Sequence, residues 1–415
     1  MGGRDTDEPH RTATPLELLF DLTFVVAFGL AADELAHYLA EDHVKAGLLG
    51  FAFASFAITW AWINFSWFAS AYDTDDWLFR LTTMVQMVGV IVLALGLPVM
   101  FESIDHGETV DNRVMVAGYV VMRMAMVFQW GRAARQDPDR RSACLTYAWA
   151  IAVAQAGWVA LLIAQTSITV TFACVALLIL VEFAGPWIAE TRKGGTPWHA
   201  HHIAERYGLL VIIALGEGVL GTIASLSVLV GPEGTGWSVD AAVLAVAGVG
   251  LTFGMWWIYF VVPSGQVLAA RRERSFGWGY GHIPIIGAVV ATGGGLHVAA
   301  YYLEEESVLG ASATVLTVMI PVAVYVVGIF VLYTYLTRML DRFHLWLIAG
   351  TAVLLLAPVP MAASGVSMVW CLAVLALSPW VTVVGYELRG HRHNAEVLDR
   401  LLADQREEGS QLVNE

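Results

Sequence analysis

The chain has 415 residues, 58% of them hydrophobic and only 14% charged. Soluble domains carry about 25% charged residues, so too few polar groups remain to wet a globular surface, and long apolar runs recur from end to end. The formal charge of −14 comes with acids gathered in loops and tails. No basic stripe with interleaved aromatics is present, which excludes nucleic acid as a partner and leaves the lipid bilayer as the main environment.

A hydrocarbon core about 30 Å thick needs roughly 20 helical residues. That ruler predicts twelve spans in chain order, at 15–38, 46–70, 78–99, 113–131, 142–164, 167–189, 203–230, 239–262, 279–302, 310–335, 343–363 and 366–387. Helices are expected throughout, because backbone groups in lipid must be satisfied within the segment. Twelve spans put both termini on one side, which then collects 19 of the 22 Lys and Arg residues. The other side holds Lys45 and Arg113, and Arg123 falls inside a span. This asymmetry predicts a plasma-membrane protein with both termini in the cytoplasm. The polar start "MGGRDTDEPHRTATP" has no apolar stretch, so no cleavable signal is expected. Cys144, Cys174 and Cys371 lie in apolar sequence without CxxC spacing and read as small buried hydrophobes. No cofactor is expected.

Two halves share an order of weak matches. Aligning Glu17 with Glu205 sets "ELLFDLTFVVAFG" beside "ERYGLLVIIALGE". Similar offsets pair "WINF" (62–65) with "WIYF" (257–260), Gly89 with Gly287, and "GPW" (185–187) with "SPW" (378–380). The expected fold is an all-α integral membrane protein of twelve transmembrane helices, arranged as two parallel six-helix repeats. Its expected parts are a cytoplasmic segment 1–14, a first half 15–190, a second half 191–388 and a cytoplasmic tail 389–415. In that tail Val397, Leu398, Leu401 and Leu402 suggest a short amphipathic helix.

The first span carries Glu17 and Asp21 one helical turn apart, on one face. A carboxylate at mid-bilayer costs on the order of 3 kcal/mol and is turned toward other helices or a wet cavity. The seventh span repeats the theme with His201, His202, Glu205 and Arg206 at its start and Glu217 deeper in. Arg123 lies at comparable depth in the fourth span and is the expected partner of Glu217, while Glu182 is placed nearer the inner face. His202 and Glu205, or His201 and Glu205, have the spacing of a shared metal site; histidines clustered at a membrane edge are commonly interfacial, and no metal is assigned.

The stretches "TPLELLFDLTFV", "YDTDD" followed by Arg80, and "HIAERYGLLVIIALGE" resemble the motifs of the bacterial low temperature requirement A family. The likeness covers nearly the whole chain. Its positions are Pro15, Glu17, Phe20 and Asp21; Asp75, Asp76 and Arg80; and His202, Glu205, Arg206, Gly216 and Glu217. Leu19 departs from the pattern, where an aromatic is common. The resemblance implies a multipass membrane protein; the family name records a growth phenotype and brings no defined activity.

The favoured function is a transporter or channel-like protein for a small solute or ion. Its polar site is drawn from Glu17, Asp21, Arg80, Arg123, His202, Glu205, Arg206 and Glu217. A sensor or structural membrane protein is the alternative. A membrane enzyme is less favoured, since no nucleophile elbow, HExxH, P-loop or dinucleotide fingerprint is present. A homo-oligomer is compatible with the sequence without being specified by it. If the topology is right, reporter fusions in the loops near residues 42, 105 and 235 read as external; a cytoplasmic signal from any of them, with expression intact, overturns it.

Overall fold

A computed structural model describes residues 3–4, 8, 11–232, 234, 236–339 and 342–390. Among these, regular structure is helical apart from one isolated bridge between Thr109 and Ser167. Twelve helices are long and apolar enough to cross a bilayer. They are α1 Pro15–Ala40, α2 Val44–Tyr72, α3 Trp77–His106, α4 Arg113–Gln136, α5 Arg141–Ala164 and α6 Ile168–Arg192. The remainder are α7 Ala200–Val230, α8 Val239–Ala270, α9 Arg272–Leu303, α10 Ala311–Thr337, α11 Arg342–Ala363 and α12 Met368–Gly390. Each coincides with one expected span, and the chain is a multispan membrane protein. The differences lie at helix ends, chiefly where α3 runs on to His106 and α8 to Ala270. The tail residues Val397, Leu398, Leu401 and Leu402 lie outside the described residues.

Several spans are interrupted, and the cause is visible in the sequence. The ladder breaks at Gly96 in α3, at Ala357 in α11 and at Leu377 in α12, one or two residues before Pro98, Pro358 and Pro379. Proline has no N–H to give and crowds the preceding turn. In α7 the break falls at Leu215, immediately before Gly216 and Glu217, with no proline nearby.

The chain divides into two compact units, the division falling inside α7 after Arg206. In the first unit α2 is the most enclosed helix, buried almost without interruption from Phe53 to Tyr72. Polar contacts at successive loops show its helices alternating in direction. At one end His43 meets Asp105 at 2.9 Å. At the other, Tyr72 donates to Asp137 at 3.1 Å and Arg132 binds Asp76. The apolar stripe of α1 obeys helical spacing, with Phe20, Phe24, Ala27, Phe28 and Ala31 buried. Leu18, Leu19, Leu22 and Val26 face outward. Leu19 is 53% exposed, so the family's aromatic is absent from a position that touches lipid rather than core.

Helices α3 and α4 meet backbone to backbone. A Cβ added at Gly118 would overlap the amide nitrogen of Leu93 and the carbonyl oxygen of Gly89. Close approach of this kind replaces the hydrophobic drive that helices lack among lipid tails.

In the second unit α9 is the most enclosed helix. It packs against the second part of α7 through Gly293, where an added Cβ would meet the backbone of Glu217. Its buried His282 is held by two bonds. Nδ1 lies 2.7 Å from the Trp278 carbonyl, which only an N–H can satisfy, so Nε2 accepts from the Tyr259 hydroxyl at 3.0 Å. Rings of Tyr207 and Trp278 complete its surroundings, with centroids at 4.8 and 4.4 Å.

Gly118→Ala is expected to cost about 1–3 kcal/mol, because backbone rather than a flexible side chain must yield. Gly131→Ala, also in α4 but with nothing within 4 Å of the new methyl, is neutral or stabilising by up to about 1 kcal/mol. Thermal unfolding of the two variants in one detergent measures the contrast.

Candidate functional site

At one end of the first unit the start of α1, the end of α2 and the first turns of α7 converge. Asp21, fully buried, accepts both arms of the Arg206 guanidinium, from Nη1 at 2.9 Å and Nη2 at 2.7 Å. The Trp62 indole donates to the same carboxylate at 2.7 Å, and Arg206 Nη2 also reaches the Ser66 hydroxyl at 3.3 Å. Helical geometry explains the set: Trp62 and Ser66 are one turn apart on α2, as Glu17 and Asp21 are on α1 and His202 and Arg206 on α7. Three such pairs laid side by side bury four ionisable groups, Glu17, Asp21, His202 and Arg206. Planar two-pronged binding is what a guanidinium supplies and an ammonium does not.

One turn nearer the rim the pairing is looser. Glu17 Oε2 accepts from the Thr14 amide at 2.8 Å and its hydroxyl at 3.1 Å, capping the start of α1. His202 Nε2 faces both carboxylate oxygens, at 3.2 and 3.3 Å. Arg206 Nε lies 3.8 Å from Glu17 Oε1, too far for a hydrogen bond. Glu17 Oε1, Arg206 Nε and His202 Nδ1 are therefore buried without a hydrogen-bond partner among the described residues.

The segment before α1 lies across this cluster. Arg11 donates to the carbonyls of Ser70 and Ala69, the latter at 2.6 Å, satisfying carbonyls at the end of α2. The Ala13 amide donates to Glu205 at 3.2 Å, and the Arg4 amide to the Ala71 carbonyl at 3.2 Å. His199 accepts the His202 amide at Nδ1, 3.2 Å, so its proton sits on Nε2 and is donated to the Glu8 carbonyl at 2.9 Å. Burial lowers the affinity of His199 for a second proton, and burial likewise pushes the Arg11 guanidinium down to about 10. The buried carboxyl of Asp73 is pushed up to about 6, first by desolvation and then by the charge of Glu17. Its Oδ1 accepts the Asp75 amide at 2.8 Å, while Oδ2 has no hydrogen-bond partner among the described residues.

The other expected residues fall into place separately. Arg80 is exposed and clasps Asp75 through two bonds of 2.9 and 2.7 Å. Asp76 caps α3, accepting from the amides of Leu78 and Phe79 and from Arg132. The "YDTDD" motif with Arg80 thus builds a turn and a helix start, with Asp75 in the left-handed region at φ 47°. Arg123 was expected to pair with Glu217; it is bound instead to Glu182, within its own unit. Glu182 lies midway along α6, deeper than expected, and takes three further donors: Trp60 Nε1 at 2.9 Å, Trp158 Nε1 at 3.3 Å and the Tyr119 hydroxyl at 3.3 Å. Glu217 is buried in the second unit at the start of the helix segment that follows Leu215. Sequence reasoning missed Trp62 and Ser66, whose signal was two polar-capable side chains one turn apart in an otherwise aromatic run. It also missed Arg11, a lone cation four residues before the first span.

A family model described as Bacterial low temperature requirement A protein (LtrA) matches residues 12–379. A Rhizobium meliloti (strain 1021) protein named "Uncharacterized protein RA0937" is 29% identical over 301 residues, covering 66% of this chain and 66% of its own length. The chain thus spans about two thirds of that relative. No solved structure matches.

The raised carboxyl of Asp73 has a stability consequence. The folded chain holds this proton up to about pH 6, the unfolded chain only to about 3.9. The favourable contribution is therefore complete below pH ~4 and lost as pH rises through ~6. Asp73→Asn removes that loss and keeps the oxygen that accepts from Asp75. It should raise stability by roughly 1–2 kcal/mol at about pH 7.5 and leave it unchanged near pH 4, read as melting temperature against pH.

Proposed function

The chain belongs to the bacterial low temperature requirement A (LtrA) family, and on that premise we propose that it is a transporter or channel-like protein for a small solute or ion. The polar site is Glu17, Asp21, His202 and Arg206, with Glu205 at its rim. In this reading the protein sits in the plasma membrane with both termini in the cytoplasm, and the site opens from that side. Two parallel six-helix repeats, 15–190 and 191–388, form the frame, and Glu217 provides a second intramembrane acid.

The observation that carries the reading is the unequal satisfaction of the cluster. A group of charges kept only to lock helices is best served by complete pairing, because unpaired buried polar atoms cost about 1–3 kcal/mol each. Asp21 meets that description. Glu17, His202 and Arg206 do not, since each keeps a buried polar atom without a hydrogen-bond partner among the described residues. Intramembrane ionisable groups left partly open are the usual mark of an ion or solute path. The complete pairing of Asp21 supports the alternative, a structural membrane protein in which the cluster only ties α1, α2 and α7 together.

The test uses the full chain in liposomes, with stopped-flow light scattering under gradients of sodium chloride, potassium chloride, glycine and glycerol, and a trapped pH dye for protons. Protein-dependent flux of at least one of these, reduced at least tenfold in Glu17→Gln with the melting temperature retained, is the expected result. Folded protein that moves none of them faster than empty liposomes overturns the reading. Glu217→Gln, assayed alongside, reports whether the second acid shares the path.

A further inference from the structure

The buried cluster is short of one positive charge. Glu17 and Asp21 are two carboxylates at 0% exposure, and Arg206, also at 0%, is the one guanidinium bound to them among the described residues. The neighbouring charges do not make up the difference. Above about pH 6, where Asp73 is ionised, it and Arg11 offset each other at the rim, both buried. Arg4 and Glu8 pair at 3.3 Å in partly exposed positions. Glu205 adds a further negative charge beside Ala13, and His199 is held neutral by its two hydrogen bonds. A net charge enclosed in an apolar surrounding is expensive, so the cluster favours uptake of one unit of positive charge.

One described group stands ready to take it. His202 faces the Glu17 carboxylate with Nε2, which places a proton there as the donor in an imidazole–carboxylate bond. Its Nδ1 then carries a free lone pair, buried and without a hydrogen-bond partner among the described residues. Fully paired, as in His282, a buried imidazole has no vacancy; His202 has one.

We infer that the Glu17–His202 pair binds one exchangeable proton, and that this proton is the ion coupled to, or carried by, the site. In naming the ion, the inference rests on the transport reading; the binding of the proton does not. The step is simple to balance. A proton from water adds to the Nδ1 lone pair, forming one N–H bond and turning imidazole into imidazolium, with no bond broken in the protein. Release reverses it, either from Nδ1 or by transfer of the Nε2 proton to Glu17 Oε2 as Nδ1 retains the new one. The two groups titrate as a unit, and the apparent midpoint belongs to the pair. Asp21, bound by Arg206 and Trp62, holds the guanidinium in place.

The experiment is nitrogen-15 NMR of the full chain labelled at its 12 histidines, with the His202 signals assigned by loss in His202→Gln. The expected result is a single-proton titration from the Nε2–H tautomer to the doubly protonated ring, with a midpoint that falls by about one pH unit or more in Glu17→Gln. If His202→Gln does not fold, proton uptake by the wild-type chain against that of Glu17→Gln supplies the same count. A His202 that stays neutral across about pH 5–8, or one whose midpoint ignores Glu17→Gln, overturns the inference. So does a midpoint that drops as potassium or sodium is raised at fixed ionic strength, which assigns the missing charge to an alkali cation. Proton flux into dye-loaded liposomes separates the two claims. Flux of some ion or solute that is indifferent to pH and to both variants leaves transport standing and overturns the proton as its ion. A linked titration without any flux keeps the proton site and overturns transport.

Discussion

Everything at this end of the first unit depends on placing Asp21 out of reach of the surface, at 0% exposure. A short carboxylate cannot reach the aqueous rim from the second turn of a membrane helix, so it must find its donors inside the protein. Arg206 supplies two and Trp62 a third. Meeting that demand fixes the rotation of α1, the approach of the first turns of α7 and the face that α2 presents. Removing one partner of such a pair strands the other, at a cost of about 3–5 kcal/mol. The surrounding aromatic rings, Phe20 on Phe65 at a centroid distance of 3.8 Å among them, pack against an arrangement already decided by charge.

The first unit contains two buried acid–arginine pairs whose carboxylates differ in character, while Arg123, like Arg206, keeps buried nitrogens without a hydrogen-bond partner among the described residues. Glu182 is surrounded by donors, two of them indoles and one a phenol, so its carboxylate has nothing left to accept. Glu17 has the reverse problem, with one oxygen engaged by the helix start and the other facing His202 and Arg206 without a hydrogen bond among the described residues. The first arrangement resists change of protonation because every donor would be lost at once. The second sits beside the imidazole of His202. The two carboxylates differ in how many donors surround them rather than in whether they are buried.

Much of this was legible in the sequence, for identifiable reasons. Long apolar runs have one solution in lipid, so all twelve helices could be placed from composition and length. The shared face of Glu17 and Asp21, and of His202 and Arg206, follows from helical spacing alone. Partner choice does not, because depth along a span says nothing about which helices are neighbours. Counting residues along the spans puts Arg123 and Glu217 at similar depths, yet Arg123 is bound to Glu182. Arg80 illustrates the same limit. It stands among the candidate site residues in the sequence, but its guanidinium closes a surface turn with Asp75. Trp62 and Ser66 were hidden because their polar atoms are a small part of side chains that otherwise read as core.

The separation in sequence between Asp21 and Arg206, 185 residues, sets an order of events during synthesis. A ribosome adding about 5–20 residues per second takes roughly 10–40 s to cover that distance. Through that interval α1 carries two carboxylates with their guanidinium still unmade, and the insertion machinery or the interface must shelter them. The first helix therefore enters the bilayer early but is seated last, when the opening turn of α7 arrives. Assembly of the first unit is closed by a residue that belongs to the span following it.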